Sequence, residues 1–313
     1  MRSVVIRDGD LVLEERADPI PGAGQVLVAV KAAGLNAADL LQRRGFYPAP
    51  PDAPADVPGL ELSGEVVALG EGATRFTVGD RVMAVVGGGG QSTRAVVHER
   101  LLMPVPNGVI HIAAGGFPEA FTTAHDALFT QCGLAMGERV CIHGAAGGVG
   151  TAAVQLAVSA GCEVTATVRD PARHADVTAL GAARVVDPAG FADHGPFDVV
   201  LELVGAPNMA ANMTSLASGG RIAVIGVGAG ATAEINLLEL MRSRARIHGS
   251  TLRARALEDK ADAARRVERH VLPLLATGRV QVPISSTFPL DDVAAAYDAF
   301  AAGGKFGKII LTA

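Results

Sequence analysis

The chain has 313 residues, 49% of them hydrophobic, and a formal charge of −5. That length allows a large core and suggests two domains; the acidic balance leaves no global positive field, so nucleic acid is not expected as a partner. No apolar window reaches the roughly eighteen residues of a membrane span, and Met1 to Asp8 meets charge before any signal-length stretch, so a cytoplasmic protein without a membrane partner is expected.

Residues 1 to about 120 alternate short β-branched runs with Gly and Pro: Ser3–Ile6, Val26–Val30, Gly64–Leu69, Arg81–Val86 and Thr93–Val97. This pattern predicts a mostly antiparallel sheet. Between the runs, Asn36 is placed to cap a short helix through Asp39 and Leu41, and a Pro-rich loop spans Tyr47 to Pro58. From about Thr122 the chain changes to strands separated by Ala-rich helices. The strands are Val140–His143, Glu163–Val168, Arg184–Val186, Phe197–Leu203, Arg221–Gly226 and Arg246–Gly249. Near-continuous apolar runs such as Val199–Val204 require cover on both faces, which predicts an α/β, doubly wound, six-stranded parallel sheet of the Rossmann kind. Cys132, Cys141 and Cys162 fall in this region without a C-x-x-C pair and read as buried thiols. The remainder predicts a helix over Ala256–Ala276, a strand over Val280–Phe288, a helix over Leu290–Ala302 and a last strand over Lys308–Leu311. It is too small to fold alone and is expected to pack on the N-terminal sheet.

Val140–His143 leads directly into Gly144-Ala145-Ala146-Gly147-Gly148-Val149-Gly150 and then an apolar helix. Glycines let main-chain N–H groups approach a pyrophosphate at a helix N-terminus, so Ala146, Gly147, Gly148, Val149 and Gly150 are candidate cofactor contacts. Spacing departs from strict G-x-G-x-x-G at Ala145. At the end of the next strand, Thr167-Val168-Arg169-Asp170-Pro171-Ala172-Arg173 presents two cations. Arg169 and Arg173 suit a 2′-phosphate, and Asp170 before Pro171 reads as a helix cap, so NADPH (NADP+) is expected over NADH. Loops after parallel strands line the crevice, adding Thr122, Val204, Gly226, Val227, Ser250 and Thr251, with Thr167 at the strand end. His125 and His143 lack clustered partners and are assigned no metal or acid–base role. Of the basic residues near the last strand, Lys305 and Lys308, Lys308 is the candidate for a cofactor phosphate.

Several separated segments together resemble the quinone oxidoreductase (zeta-crystallin-like) branch of the medium-chain dehydrogenase/reductase family. They are Gly34-Leu35-Asn36-Ala37-Ala38-Asp39 with Arg43 and Tyr47, Pro58 to Gly64, Val78 to Val82, His143 to Gly150, Gly249 to Arg253, Phe288-Pro289-Leu290 and Gly307 to Ile310. The resemblance implies a GroES-like catalytic domain from 1–122 and 263–313, with the Rossmann domain, 123–262, inserted and the active site in the cleft between. It also implies a homodimer through the cofactor-domain sheets. Zinc members of the family carry Cys where this chain has Asn36 and His where it has Leu60, and the cysteine-rich lobe is replaced by Gly87 to Gly90, so no metal is expected.

Without a Lewis acid, hydride transfer needs an acceptor that is already electron-poor, a quinone or conjugated enone. Asn36, placed by similarity near the nicotinamide, and Tyr47, near the cofactor phosphate or substrate mouth, are the candidates for polar catalytic work. Asp39 reads as a structural carboxylate near Arg43. Leu41 stands where some relatives carry a second tyrosine. A trans-enoyl thioester reductase is the alternative within the fold. A non-catalytic nucleotide- or RNA-binding relative is the alternative outside enzymology, which the acidic balance and the lack of aromatic stacking runs disfavour.

Overall fold

A computed structural model describes residues 1–313. They form two compact units, Met1–Thr122 with Leu252–Ala313, and Thr123–Thr251.

The N-terminal segment contains strands β1 (Arg2–Arg7), β2 (Asp10–Glu15) and β3 (Gln25–Gly34), helix α1 (Ala37–Arg43), and strands β4 (Glu61–Leu69), β5 (Arg81–Val85), β6 (Arg94–His98) and β7 (Leu102–Pro104). Helices α2 (His111–Gly115) and α3 (Pro118–His125) follow. In β6 the inward residues Ala95 and Val97 are buried and their neighbours are not, the period of two that a half-solvated sheet imposes.

The next segment alternates strands with helices except between its third and fourth strands, which a 3-10 turn joins: β8 (Arg139–Ile142), α4 (Gly148–Ser159), β9 (Glu163–Thr167), α5 (His174–Ala179), β10 (Arg184–Val186), β11 (Phe197–Glu202), α6 (Met209–Thr214), β12 (Leu216–Val224), α7 (Leu237–Ser243) and β13 (Arg246–Gly249). Its six strands pair in the order β10-β9-β8-β11-β12-β13, every pair parallel. The doubly wound sheet expected from the apolar runs is therefore present. Its order reverses between β8 and β11, the position where such sheets open a crevice at their carboxyl ends.

The chain re-enters the first unit at Leu252, earlier than the expected 263, because Arg253 is already bonded to Gln42, Tyr47 and Gly87. The return contains α8 (Leu257–His270), α9 (Leu272–Ala276), β14 (Ile284–Pro289), α10 (Val293–Ala302) and β15 (Lys308–Thr312). The single helix expected over 256–276 is broken at Val271, since Pro273 lacks an N–H and its ring conflicts with a helical carbonyl four residues earlier. The strand expected from Val280 begins only at Ile284, after Pro283, whose carbonyl accepts from Lys308 N–H. Strand β15 joins β14 in parallel and β3 antiparallel, giving a mostly antiparallel sheet β14-β15-β3-β4-β5-β7, with β6 also on β3. One core of this unit gathers Val26, Val28, Leu62, Val66, Val82 and Leu102, and another gathers Leu35, Tyr297, Ile309 and Leu311. No helix is long and apolar enough to cross a membrane.

Candidate active site

In the second unit the register Glu202↔Val224↔Gly249 brings the ends of β11, β12 and β13 into one row. Val204, Gly226, Val227, Ser250 and Thr251 lie just beyond that row, and the turn after β8 leaves the same edge of the sheet. Gly144 sits at φ +61°, and a Cβ on Gly150 would lie 2.4 Å from the Gly144 carbonyl. The demand for glycine at 150 thus comes from the turn's own backbone, not from the sheet beneath the helix. Gly147 is the N-cap of α4, no side chain caps that helix, and its first turn holds no acidic residue. The Gly147 N–H is taken by the Gly144 carbonyl, but the first N–H groups of α4, from Gly148 on, have no internal partner, so the partly exposed residues 146–149 form a cradle that fits a pyrophosphate.

Beneath this edge is a buried polar network. Glu202 accepts from the N–H groups of Val204 and Gly205 and from the amides of Asn208 and Asn212. Because Asn212 donates to that carboxylate, its Oδ1 faces His143 Nε2 at 2.7 Å and Nε2 carries the proton. Burial holds the His143 imidazole below its ordinary value, so Nδ1 accepts from the Thr167 hydroxyl at 3.0 Å. Thr167, expected at the cofactor, is instead buried, with its hydroxyl on His143 and its carbonyl on Ala145 N–H. It supports the glycine turn from below. Beyond it Arg169 is exposed, whereas Arg173 is half-buried and pairs with Asp176 at 3.3 Å. Asp170 accepts from Ala172 N–H as the expected cap.

In the first unit the glycine at the end of β3 allows a close approach. A Cβ on Gly34 would fall 2.3 Å from Glu61 Oε1 and 2.9 Å from the Lys308 side chain. Lys308 Nζ meets Glu61 Oε1 at 2.5 Å, Asn36 Oδ1 at 2.7 Å and the Leu35 carbonyl at 2.8 Å. All three of its protons are engaged and both charged groups are buried. The phosphate role expected of Lys308 is therefore corrected: it is the counter-ion of Glu61. The Asn36 amide donates to Gly34 O at 3.2 Å and to Glu61 at 3.0 Å, so neither N–H is free for a developing oxyanion. Glu61 completes its shell by accepting from Glu119 N–H. The carboxylate inside the otherwise apolar run Leu60-Glu61-Leu62 was the signal that sequence reasoning passed over.

Asn36 is the N-cap of α1, and its N–H donates to Asp39. Asp39 also accepts from Gly59 N–H, while Arg43, one turn along α1, donates to Gly9 O, so each side chain bonds the backbone rather than the other. Burial pushes the Asp39 carboxyl up to about 6, against the pull of those N–H groups and of Lys308. A raised value means the folded state favours the neutral acid. Its contribution to stability is full below the unfolded value near 4 and is lost as pH rises through about 6. The stability of wild type minus that of Asp39→Asn is expected to fall by roughly 3 kcal/mol across that window. Urea unfolding at several pH values measures it; a flat difference would refute the assignment.

Tyr47, on the Pro-rich loop, is half-buried, and its hydroxyl makes no hydrogen bond to the rest of the chain. Burial, reinforced by Glu119, raises its phenol, and Arg253 opposes the rise. Thr122 carries a buried hydroxyl with no partner, a group suited to a bound amide. Zinc does not fit this set: Leu60 is a buried hydrocarbon, the Asn36 amide is saturated, and Glu61 is occupied by an ammonium group.

The chain matches the Alcohol dehydrogenase GroES-like domain over residues 22–129 and the Zinc-binding dehydrogenase family over residues 148–269. Quinone oxidoreductase of Homo sapiens is 31% identical over 99% of this chain and 97% of its own length. Acryloyl-coenzyme A reductase of Metallosphaera sedula is 29% identical with both chains covered completely. The crystal structure of an alcohol dehydrogenase superfamily protein from Novosphingobium aromaticivorans superposes with a TM-score of 0.90 at 29% identity, covering 100% of this chain and 99% of that one. Sheet order, glycine turn and these likenesses define an oxidoreductase of the nicotinamide-dependent class. Within that class, the chain belongs to the quinone oxidoreductase branch of the medium-chain dehydrogenase/reductase family.

Proposed function

We propose that the protein is an NADPH-dependent quinone oxidoreductase that reduces a quinone or conjugated enone without zinc. The observation that carries this reading is the Asn36–Glu61–Lys308 cluster, which offers no place for a Lewis acid and so restricts the acceptor to one already electron-poor. The nicotinamide, when bound, supplies the hydride. Residues 146–150 hold the pyrophosphate, the Thr122 hydroxyl the carboxamide, and Val204, Gly226, Val227, Ser250 and Thr251 the nicotinamide half, while Thr167 supports the turn. NADPH is favoured because Arg169 stands exposed beside Arg173 and the one carboxylate between them, Asp170, is committed to its cap. With the Asn36 amide saturated, Tyr47 donates the proton that balances the hydride on the reduced acceptor and regains one from water. Asn36 fixes the polar floor instead.

A homodimer agrees with β13 lying at the sheet edge beside exposed Leu237, Leu238 and Met241 on α7. A cytoplasmic location agrees with three free thiols. The acryloyl-coenzyme A reductase likeness supports one second reading, an enoyl thioester reductase.

The test is NADPH oxidation with 1,4-benzoquinone and, separately, an enoyl-coenzyme A, both with a chelator present. Quinone turnover that resists the chelator is the expected result; turnover confined to the thioester selects the second reading. Arg169→Ala with Arg173→Ala is expected to weaken NADPH by about tenfold or more and to leave NADH within about threefold. Equal weakening of both would remove the 2′-phosphate assignment.

A further inference from the structure

Arg253 is 2% exposed, yet no carboxylate pairs with it. Its guanidinium reaches three oxygens on three pieces of chain: Nη2 donates to Gln42 Oε1 on α1 at 2.6 Å, Nη1 to the Tyr47 carbonyl at 2.9 Å, and Nε to the Gly87 carbonyl at 2.7 Å. The same group stacks over the Tyr47 ring at 5.1 Å. Gln42 passes the tie onward, donating to Ala55 O at the far end of the Pro-rich loop. That loop also lies against Gly87, where a Cβ would meet Ala53 and Pro50 at 2.9 Å. Tyr47 has no regular structure of its own, so this clamp is what fixes its ring. A buried cation with no carboxylate bonded to it, and only the more distant fields of Asp39 and Glu119 to offset its burial, is costly, and an apolar residue of similar size would pack as well for stability alone.

We propose that Arg253 is a positioning residue that holds the Tyr47 phenol for proton donation, through the three-oxygen clamp and the cation stacked on the ring. The inference rests on the reading of Tyr47 as proton donor. Two charged groups act on the phenol: Glu119 of α3 raises its hold on the proton, and Arg253 lowers it. Arg253 also stabilises the tyrosinate left after donation. Lysine keeps the charge but lacks the planar fork that reaches all three oxygens.

The chain has two tyrosines and no tryptophan, which makes the phenol directly readable. Tyr297 is buried, donates to Gln91, and is held well above the ordinary tyrosine range by burial, so Tyr47 ionises first. In an ultraviolet titration of the full chain, the first phenolate step is expected at higher pH in Arg253→Met than in wild type, with Arg253→Lys between them. In NADPH oxidation by 1,4-benzoquinone, Arg253→Met is expected to lower kcat by about tenfold or more while KM for NADPH stays within about threefold. In a Tyr47→Phe background the same substitution is expected to add less than about twofold. An unmoved phenolate step, or a full additional loss in the Tyr47→Phe background, overturns the positioning role and leaves the donor assignment standing. Full activity of Tyr47→Phe overturns both. If Arg253→Met does not fold, Arg253→Lys carries the same three measurements.

Discussion

Lys308→Met is expected to destabilise the protein by about 3–5 kcal/mol, because it leaves the Glu61 carboxylate buried without its cation. The remaining donors, one Asn36 N–H and the Glu119 N–H, are neutral dipoles and do not replace a full charge. Adding Glu61→Gln to that variant is expected to recover most of the loss, since a buried pair replaced as a unit costs far less than a pair broken on one side. Denaturant unfolding with an unchanged slope measures both. A loss below about 1 kcal/mol for the single variant would mean that water reaches Glu61.

Gly147→Val is expected to abolish nucleotide binding, by about a hundredfold or more, with little change in melting temperature. Its backbone, φ −78° and ψ 172°, suits any residue, and the added Cβ would meet only the Gly144 carbonyl, at 3.4 Å. The rest of the side chain enters the space over the first turn of α4, where the pyrophosphate is assigned. Gly150→Val is the contrasting case, because its Cβ collides with Gly144 O at 2.4 Å and Ala145 Cα at 2.6 Å, so binding and melting temperature fall together. Nucleotide titration beside thermal melts distinguishes the two. Retained NADPH and NADH affinity in Gly147→Val would remove the turn from the cofactor site.

The parallel sheet was legible because burial on both faces writes itself as continuous apolar runs, as in Val199-Val200-Leu201, and because the strand, glycine turn and helix are contiguous. The short strands β2 and β7 were not. Asp10–Glu15 ends in two glutamates and stays half-exposed against β1 alone, and Leu102–Pro104 is too brief to show a period. The helix break at Pro273 and the late start of β14 after Pro283 follow from proline chemistry that apolar patterning overrode.

What the sequence by itself determined are the features carried by local chemistry: helix periodicity, the capping of α1 by Asn36 and of the turn at Pro171 by Asp170, and the glycine turn. It also determined the family, because separated motifs keep their order. Only the tertiary structure decided which polar groups are already satisfied. Asn36, Glu61 and Lys308 lie in three separate parts of the chain, Gln42 lies on α1 and Tyr47, Gly87 and Arg253 on three loops, and no spacing rule relates them. Each group's reach is a few ångströms while its partners are tens or hundreds of residues away, so whether Lys308 meets a phosphate or a carboxylate depends on β15 closing against β3 and β4.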